Sequence, residues 1–199
     1  MKLFSYVVAR DYGFAPNPFG GYCTLATCKP DIRASAQVGD WIIGTGSATI
    51  HRQGYLIYAM RVQETCSFDE YWHDPRFQNK KPNLSASAML AFGDNIYHKV
   101  GSGWSQLDSH HSYHDGSKNL LNVERDTKAD RVLISTEYTY LGNNAVEIPD
   151  KLRNFRGYDL CKTGPGYRSD APDDMIHEFI SWTKSLGLGQ IRGFPNDWE

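Results

Sequence analysis

Cysteine, histidine and aspartate side chains occur where they could perform nucleophilic or acid–base chemistry. Residues 104–115 contain three of the seven histidines within five positions, and Asp108 lies in the same stretch. Imidazole exchanges protons near neutral pH, so His111 is a candidate general acid or base. A cysteine nucleophile needs a base or positive charge nearby, and Cys23 is our candidate for that role. A catalytic interpretation therefore uses Cys23, His111 and Asp108, and the alternative is a solvated loop.

The same histidines raise the question of a metal site. Neutral imidazole and carboxylate are suitable ligands for zinc or iron. However, the run His-His-x-x-His has no standard ligand spacing. Cys23-x4-Cys28 also lacks the two-residue spacing of a zinc knuckle or redox pair. We predict no metal and no cofactor.

Charged, amide and aromatic residues indicate a binding site for a nucleotide. Guanidinium groups bind phosphate, amides read base edges, and aromatic rings stack on bases. The candidates for ligand contact are Arg10, Lys29 and Arg33 for phosphate, Asn17, Ser47 and Gln106 for base edges, Trp41, Tyr97 and Trp104 for stacking, and Asp11 and Ser109 as further polar contacts. The alternatives are an ion pair between Arg10 and Asp11, and plain turns at residues 17–18 and 45–47.

The elements that must position these residues follow from local patterns. β-forming residues predict strands over residues 2–10, 41–45, 54–64, 95–100 and 131–141. A helix is predicted after Pro172, because Met175, Ile176 and Phe179 fall on one face and acidic residues lie at its start. Residues 101–119 are polar and lack periodicity, which predicts a long loop. These elements predict an α+β fold rather than a doubly wound sheet.

Composition limits the possible partners. The chain has 199 residues, is 40% hydrophobic and 13% aromatic, and carries a net charge of −2. Non-specific nucleic-acid binders usually present a strongly basic face, so this balance argues against a generic DNA coat. It remains compatible with a pocket for one base or nucleotide.

The N-terminus and the apolar segments indicate a cellular location. Residues 1–6 show no apolar signal-peptide core, and no run of about 18 apolar residues occurs. We therefore expect a cytoplasmic protein with free thiols and no membrane partner.

The central segment resembles a known superfamily. Gly-Asp-Trp-Ile-Ile at residues 39–43 precedes an apolar strand at residues 55–62, and Tyr-Trp-His-Asp-Pro-Arg-Phe follows at residues 71–77. This order resembles the PUA-like superfamily, especially its EVE branch. The resemblance implies a small mixed β-barrel, with flanking helices and a C-terminal helix, that accepts a base. Residues 38–77 would then form the core of the barrel.

A second resemblance covers more of the chain. Tyr6-Val-Val-Ala-Arg-Asp-x-Gly-Phe-Ala-Pro-Asn-Pro-Phe19, residues 21–30 and residues 39–47 are similar to the second of the nucleotide modification associated domain families. Those proteins are linked to systems that make or handle modified DNA bases. The resemblance implies a role beside base modification, but it supplies no catalytic residues.

Together these observations predict one domain over residues 1–199, with a barrel core at about residues 2–141 and a C-terminal extension at about residues 150–199. The predicted function is binding of a modified nucleobase or nucleotide, or of modified DNA, at the mouth of the barrel. One alternative is an enzyme that modifies or hydrolyses a nucleotide or base. The other is a phage or defence protein that sequesters a nucleotide signal.

Overall fold

The computed structural model describes residues 1–187 and 189–198. The strands are β1 Leu3–Val8, β2 Cys23–Leu25, β3 Trp41–Gly46, β4 Tyr55–Arg61, β5 Glu64–Cys66, β6 Tyr97–Val100, β7 Gly103–Gln106, β8 Val132–Ser135, β9 Tyr138–Tyr140, β10 Val146–Glu147, β11 Tyr167–Arg168 and β12 Gln190–Ile191. The helices are α1 Pro30–Ser35, α2 Phe68–His73, α3 Ala88–Ala91, α4 Leu120–Thr127, α5 Asp150–Arg153 and α6 Asp173–Ser185. Shorter 3-10 helices cover Pro75–Lys80, Gly142–Asn144 and Asn196–Trp198. The mixed α+β prediction is confirmed.

The chain divides into two compact units. Unit 1 comprises Met1–Tyr12, Ala36–Gln63 and Ser135–Glu199, and unit 2 comprises Gly13–Ser35 and Glu64–Ile134. The segment at residues 38–77, expected as one barrel core, is therefore shared between the two units. The single domain over residues 1–199 stays a prediction.

Unit 1 contains a mixed seven-stranded sheet. Its strands follow the order β11-β1-β3-β4-β9-β12, and β10 pairs with β4. β1 and β3 are parallel, whereas β3 and β4 are antiparallel. The described strands form an open path, since the outermost strands β11 and β12 do not pair with each other. The predicted small barrel is therefore not confirmed.

The central strands of this sheet are buried on both faces. All six residues of β3 are buried, which explains why its sequence is apolar rather than alternating. On one face the indole of Trp41 meets the ring of Phe179 edge-on, with centroids 6.0 Å apart. Met175, Ile176 and Phe179 are buried on α6, so the predicted C-terminal helix and its apolar face are confirmed.

Unit 2 contains two smaller sheets. One has the order β2-β8-β5, and the other is the antiparallel hairpin of β6 and β7. β7 lies inside residues 101–119, so the prediction of one continuous loop is wrong there. The register pairs Tyr97 with Gln106. Strands of a hairpin can pair through their backbones without an alternating apolar pattern. The search for apolar periodicity therefore does not identify this polar segment as a strand.

One observation applies to the described part of both units. In residues 1–187 and 189–198, no helix has the length and apolar character needed to cross a membrane.

Candidate active site

The candidate site is built in unit 2, around a turn that precedes α1. Cys28 and Lys29 have φ values of 56° and 41°, in the left-handed region that favours glycine. Non-glycine residues adopt this conformation at an energetic cost, and such residues are concentrated at functional sites. Pro30 then starts α1, since its fixed φ suits the first helical position. The turn leaves the thiol of Cys28 partly exposed.

His111 connects this thiol to a buried carboxylate. Its Nε2 lies 3.6 Å from Cys28 Sγ, and its Nδ1 lies 2.8 Å from Asp126 Oδ2. The carboxylate accepts a hydrogen bond from Nδ1–H, which leaves Nε2 of the neutral ring free to accept the thiol proton. Cysteine, histidine and aspartate thus form a chain in the order that thiol-dependent enzymes use.

Asp126 is fixed by several donors besides the imidazole. It lies on α4, where its side chain is fully buried. Oδ1 accepts hydrogen bonds from the backbone N–H of Cys28 at 3.1 Å and from Arg125 Nε at 3.0 Å. Oδ2 also accepts one from the hydroxyl of Tyr97 at 2.9 Å. The carboxylate therefore holds both the imidazole and the cysteine turn.

The backbone of His111 is also fixed by hydrogen bonds. Its carbonyl accepts hydrogen bonds from Gln106 Nε2 at 3.2 Å and Asn122 Nδ2 at 2.8 Å. Its N–H donates to Ser109 Oγ at 3.3 Å. Anchoring on both sides of the residue restricts the ring to the position in which it meets the thiol.

These contacts change the titration of the pair. Burial disfavours the charged imidazole, but the hydrogen bonds to Asp126 and Cys28 outweigh it and raise the pKa of His111 to about 9. Burial also disfavours the Asp126 carboxylate. The hydrogen bond from His111 and the charges of His111 and Arg125 outweigh that effect, and they hold the pKa of Asp126 below its usual value. At neutral pH the arrangement favours an imidazolium beside a carboxylate.

Arg33 is fully buried and contacts the backbone of the cysteine turn. Its Nε donates to the carbonyl of Cys28 at 2.9 Å, and its Nη1 donates to the carbonyls of Ala129 and Arg131, each at 2.7 Å. Its Nη2 donates to the carbonyl of Asp126. Burial lowers the pKa of Arg33 to about 10. The guanidinium joins the cysteine turn to the end of α4, so this geometry favours a structural role over the predicted phosphate contact.

The same three side chains could be considered as metal ligands. The donor atoms of Cys28, His111 and Asp126 lie within 4.8 Å of one another. However, both oxygens of Asp126 already accept hydrogen bonds, and Oδ2 accepts the one from Nδ1–H of the imidazole. A carboxylate engaged in this way orients the histidine instead of ligating an ion. The donor set fits acid–base chemistry better than a metal centre.

The structure brings His111 to a cysteine and an aspartate, but these are Cys28 and Asp126 instead of the predicted Cys23 and Asp108. Cys23 is fully buried on β2, and burial raises the pKa of its thiol to about 12. Asp108 is exposed. A buried thiol with a raised pKa is a poor nucleophile, so the geometry favours Cys28.

Some predicted ligand residues do lie around the candidate site. Tyr97, Gln106 and Ser109 are hydrogen-bonded to Asp126 or to the backbone of His111. Lys29 follows Cys28 in the strained turn, and burial lowers the pKa of its ammonium group. Their predicted contacts with a ligand stay predictions.

Two predicted residues of unit 2 lie elsewhere. Asn17 is buried and accepts a hydrogen bond from Lys80 Nζ at 2.7 Å through its Oδ1. Trp104 is partly buried, with its ring edge-on to Phe68 and the ammonium group of Lys99 5.4 Å from its centroid.

The other predicted ligand residues belong to unit 1. Arg10 forms an ion pair with Asp197 at 3.0 Å. Asp11 is buried and accepts a hydrogen bond from the Tyr140 hydroxyl at 2.6 Å. Trp41 is only 1% exposed, so its ring is packed in the core and is not free to stack on a ligand. Ser47 donates to the carbonyl of Ala9 at 3.1 Å and lines a cavity.

Comparison with known proteins identifies the family. The sequence model of the family described as Nucleotide modification associated domain 2 matches residues 1–199, the whole chain. The chain belongs to this family. The resemblance seen in the sequence is thereby confirmed, whereas the likeness to PUA-like proteins is not. No curated protein and no solved structure gives a match.

Membership of the Nucleotide modification associated domain 2 family gives the site a chemical context, since the description associates the chain with nucleotide modification.

Sequence reasoning missed Cys28 and Asp126 as members of the site. One signal in the sequence indicates Cys28. It precedes Lys-Pro, and proline is typical of the first position of a helix, so the thiol is placed in the turn just before that helix. Asp126 offered no such signal, because an acidic residue on a short polar helix normally faces solvent.

Proposed function

We propose that this protein is an enzyme that modifies a nucleotide or nucleobase by covalent catalysis through the thiol of Cys28. The observation that supports this proposal is the hydrogen-bonded chain from Cys28 Sγ through His111 to Asp126. A buried carboxylate that orients an imidazole toward a partly exposed thiol is the arrangement that activates cysteine nucleophiles. The family description supports the choice of a nucleotide-related substrate.

In this proposal each group has one role. In the reactive state the thiol proton resides on His111 Nε2, which agrees with the imidazolium favoured at neutral pH, and Sγ attacks an electrophilic carbon of the substrate, forming an S–C bond. The bond from that carbon to its leaving group breaks, the electron pair goes with the leaving group, and Nε2 returns the proton to it. Water then attacks the same carbon and forms a C–O bond while the S–C bond breaks, and the proton that water loses passes to Nε2 and restores the thiol–imidazole pair. Asp126 stays ionised and stabilises the imidazolium throughout.

Cationic side chains near the thiol are consistent with an anionic substrate. Lys29 is the neighbour of Cys28 in the turn, and its charge interacts with those of Cys28 and Arg125. The side chain of Arg125 is 46% exposed, so part of its guanidinium can reach a ligand. Phe14 lies edge-on to the ring of His111 with centroids 4.6 Å apart, but it is buried, so it packs against the imidazole and is not free to stack on a base. Cationic side chains that contact phosphate are one of the features that nucleotide recognition uses.

Binding without turnover is the second candidate function. It covers both recognition of a modified base and sequestration of a nucleotide signal. The observation that favours it is that Gln106 and Ser109, predicted from the sequence as ligand contacts, are hydrogen-bonded to the backbone of His111, while Lys29, predicted likewise, is adjacent to Cys28. A base pocket at the mouth of a small barrel, as in the PUA-like proteins, stays a prediction within this candidate.

Turnover separates the two functions. The purified protein is incubated with the four 2′-deoxynucleoside 5′-monophosphates and triphosphates and with single-stranded and duplex oligonucleotides, and the products are analysed by liquid chromatography and mass spectrometry. We expect a product with the unaltered protein and a loss of at least 100-fold in kcat with Cys28→Ser and His111→Gln. Asp126→Asn should lower kcat while leaving substrate binding largely intact.

The matched controls are Cys66→Ser, another partly buried thiol, and His114→Gln in the same loop as His111. Both should retain activity. A product formed equally well by the Cys28→Ser variant would refute covalent catalysis by this thiol. Binding of an unchanged nucleotide at the site, without product, would support the second candidate.

A further inference from the structure

Unit 1 contains a cavity that the proposed chemistry does not use. Its volume is about 360 Å³, and its lining includes Gly46, Ser47, Gln53, Arg153, Lys162 and Thr163. All of these residues belong to unit 1, whereas Cys28, His111 and Asp126 belong to unit 2. Ligand pockets span about 300–1,000 Å³, so a cavity of this size accepts one small ligand.

Two cationic side chains line this cavity, and one of them, Arg153, is paired with the carboxylate of Asp159. Arg153 and Lys162 contribute side chains to the lining, and none of its lining residues is an aspartate or glutamate. Lys162 Nζ donates only to the carbonyl of the adjacent Thr163, at 3.0 Å, among the described residues. An ammonium group with unused donors and a guanidinium in a concave site attract an anion.

The guanidinium of Arg153 is held in a fixed orientation. Its Nε and Nη2 donate to the carboxylate of Asp159 at 2.8 and 3.1 Å. This bidentate contact leaves Nη1 without a hydrogen bond among residues 1–187 and 189–198, and Nη1 lies against the backbone of Gly54. A Cβ at Gly54 would come within 2.5 Å of Nη1, and the φ of this residue is +83°. Glycine at position 54 therefore leaves room for Arg153 Nη1, which is the nitrogen of this guanidinium that does not bond to Asp159.

The rest of the lining is suited to a flat, polar molecule. Val7, Ala48 and the buried Cys161 supply apolar surface, and burial raises the pKa of the Cys161 thiol to about 11, which keeps it neutral. Ser47, Thr49, Thr163 and Gln53 supply hydroxyl and amide groups that donate and accept hydrogen bonds. Apolar walls with a few convergent polar groups are typical of small-ligand sites.

We propose that this cavity binds a nucleoside monophosphate. Its phosphate would lie against Arg153 and Lys162, and its base would lie against the apolar wall with Gln53 at its edge. This second nucleotide site goes beyond the covalent chemistry proposed for Cys28, and it does not depend on that chemistry.

Isothermal titration calorimetry on the full chain tests the site. The probes are the four 2′-deoxynucleoside 5′-monophosphates, the matching nucleosides, inorganic phosphate and ribose 5-phosphate. We expect one monophosphate to bind, with an affinity that falls at least tenfold in Lys162→Ala and in Arg153→Gln. Lys151→Ala is the matched control, because it removes a positive charge from the same helix as Arg153 but from an exposed pair with Glu178. It should leave the affinity unchanged.

The outcomes separate this proposal from the function proposed for Cys28, His111 and Asp126. Binding that persists in the catalytically impaired Cys28→Ser variant and is lost in Lys162→Ala supports the cavity. Absence of monophosphate binding overturns it, as does equal affinity for inorganic phosphate or ribose 5-phosphate. Binding that is insensitive to Arg153→Gln and Lys162→Ala also overturns it. Lys162→Ala keeps the test decisive if Arg153→Gln disturbs the contact with Asp159.

Discussion

The raised pKa of His111 predicts a specific loss of stability in mild alkali. The ring binds its proton more tightly in the folded protein, where its pKa is about 9, than in the unfolded chain, where 6.5 applies. The proton therefore stabilises the fold fully below pH 6.5, and this contribution disappears as the pH rises through 9. A pKa unit corresponds to 1.36 kcal/mol, so the shift amounts to about 3 kcal/mol of folding free energy.

His111→Gln isolates this contribution, since the amide cannot titrate. Urea unfolding is measured for the unaltered protein and for the variant at intervals between pH 6 and pH 9.5. We expect the difference in the free energy of unfolding to be largest at pH 6 and to shrink by about 3 kcal/mol toward pH 9.5. Asp126→Asn should flatten the same curve, because it removes the carboxylate that stabilises the charged ring.

His114→Gln is the control, since that exposed histidine lies in the same loop and should leave the pH dependence unaltered. NMR titration of the imidazole proton resonances measures the pKa of His111 directly. A ring pKa near 6.5 would refute the reasoning, and so would a stability difference that stays constant across the range. Either result would mean that the contacts with Asp126 and Cys28 do not favour the imidazolium.

Two further predictions follow from burial. At pH 7.5 iodoacetamide should alkylate Cys28 at least tenfold faster than Cys23, because Cys28 is partly exposed beside the His111 imidazolium while Cys23 is buried with its pKa raised to about 12. Peptide mass spectrometry over time measures the labelling of both cysteines, and faster labelling of Cys23 would contradict the assignment. Lys80→Met should lower the free energy of unfolding by about 3–5 kcal/mol in urea, because its ammonium group is the main balance for the buried Asp94 charge. A loss below about 1 kcal/mol would show that the Asp94 carboxyl is neutral in the folded protein.

Much of the fold could be predicted from local sequence patterns. β1, β3 and β4 follow from runs of β-forming residues, and α6 follows from its acidic start and apolar face. The closed barrel was not confirmed, because closure depends on which outer strands pair. β11 and β12 are two-residue strands with no recognisable pattern of their own. Short edge strands are stabilised by their neighbours instead of by propensity, so sequence alone does not indicate them.

The candidate site was predicted only in part. The cluster of histidines makes His111 a candidate, and the structure places its ring beside Cys28 and Asp126. The sequence predicts a phosphate contact for Arg33 because charged residues that follow the first strand are expected at the mouth of a barrel. The fold buries it instead, since the carbonyls of Cys28, Ala129 and Arg131 converge on its guanidinium. Chain segments distant in sequence supply that convergence, and no local pattern records it.

The sequence by itself determined the family, the strand-forming segments and the presence of cysteine, histidine and aspartate in a chain that could use them. The tertiary structure decided which cysteine and which aspartate meet the histidine. His111 lies 83 residues from Cys28 and 15 from Asp126, so only folding brings their side chains into contact. It also buried Cys23 and left Cys28 partly exposed in a strained turn. Reactivity depends on such exposure and on neighbouring charge, and both are properties of the folded chain.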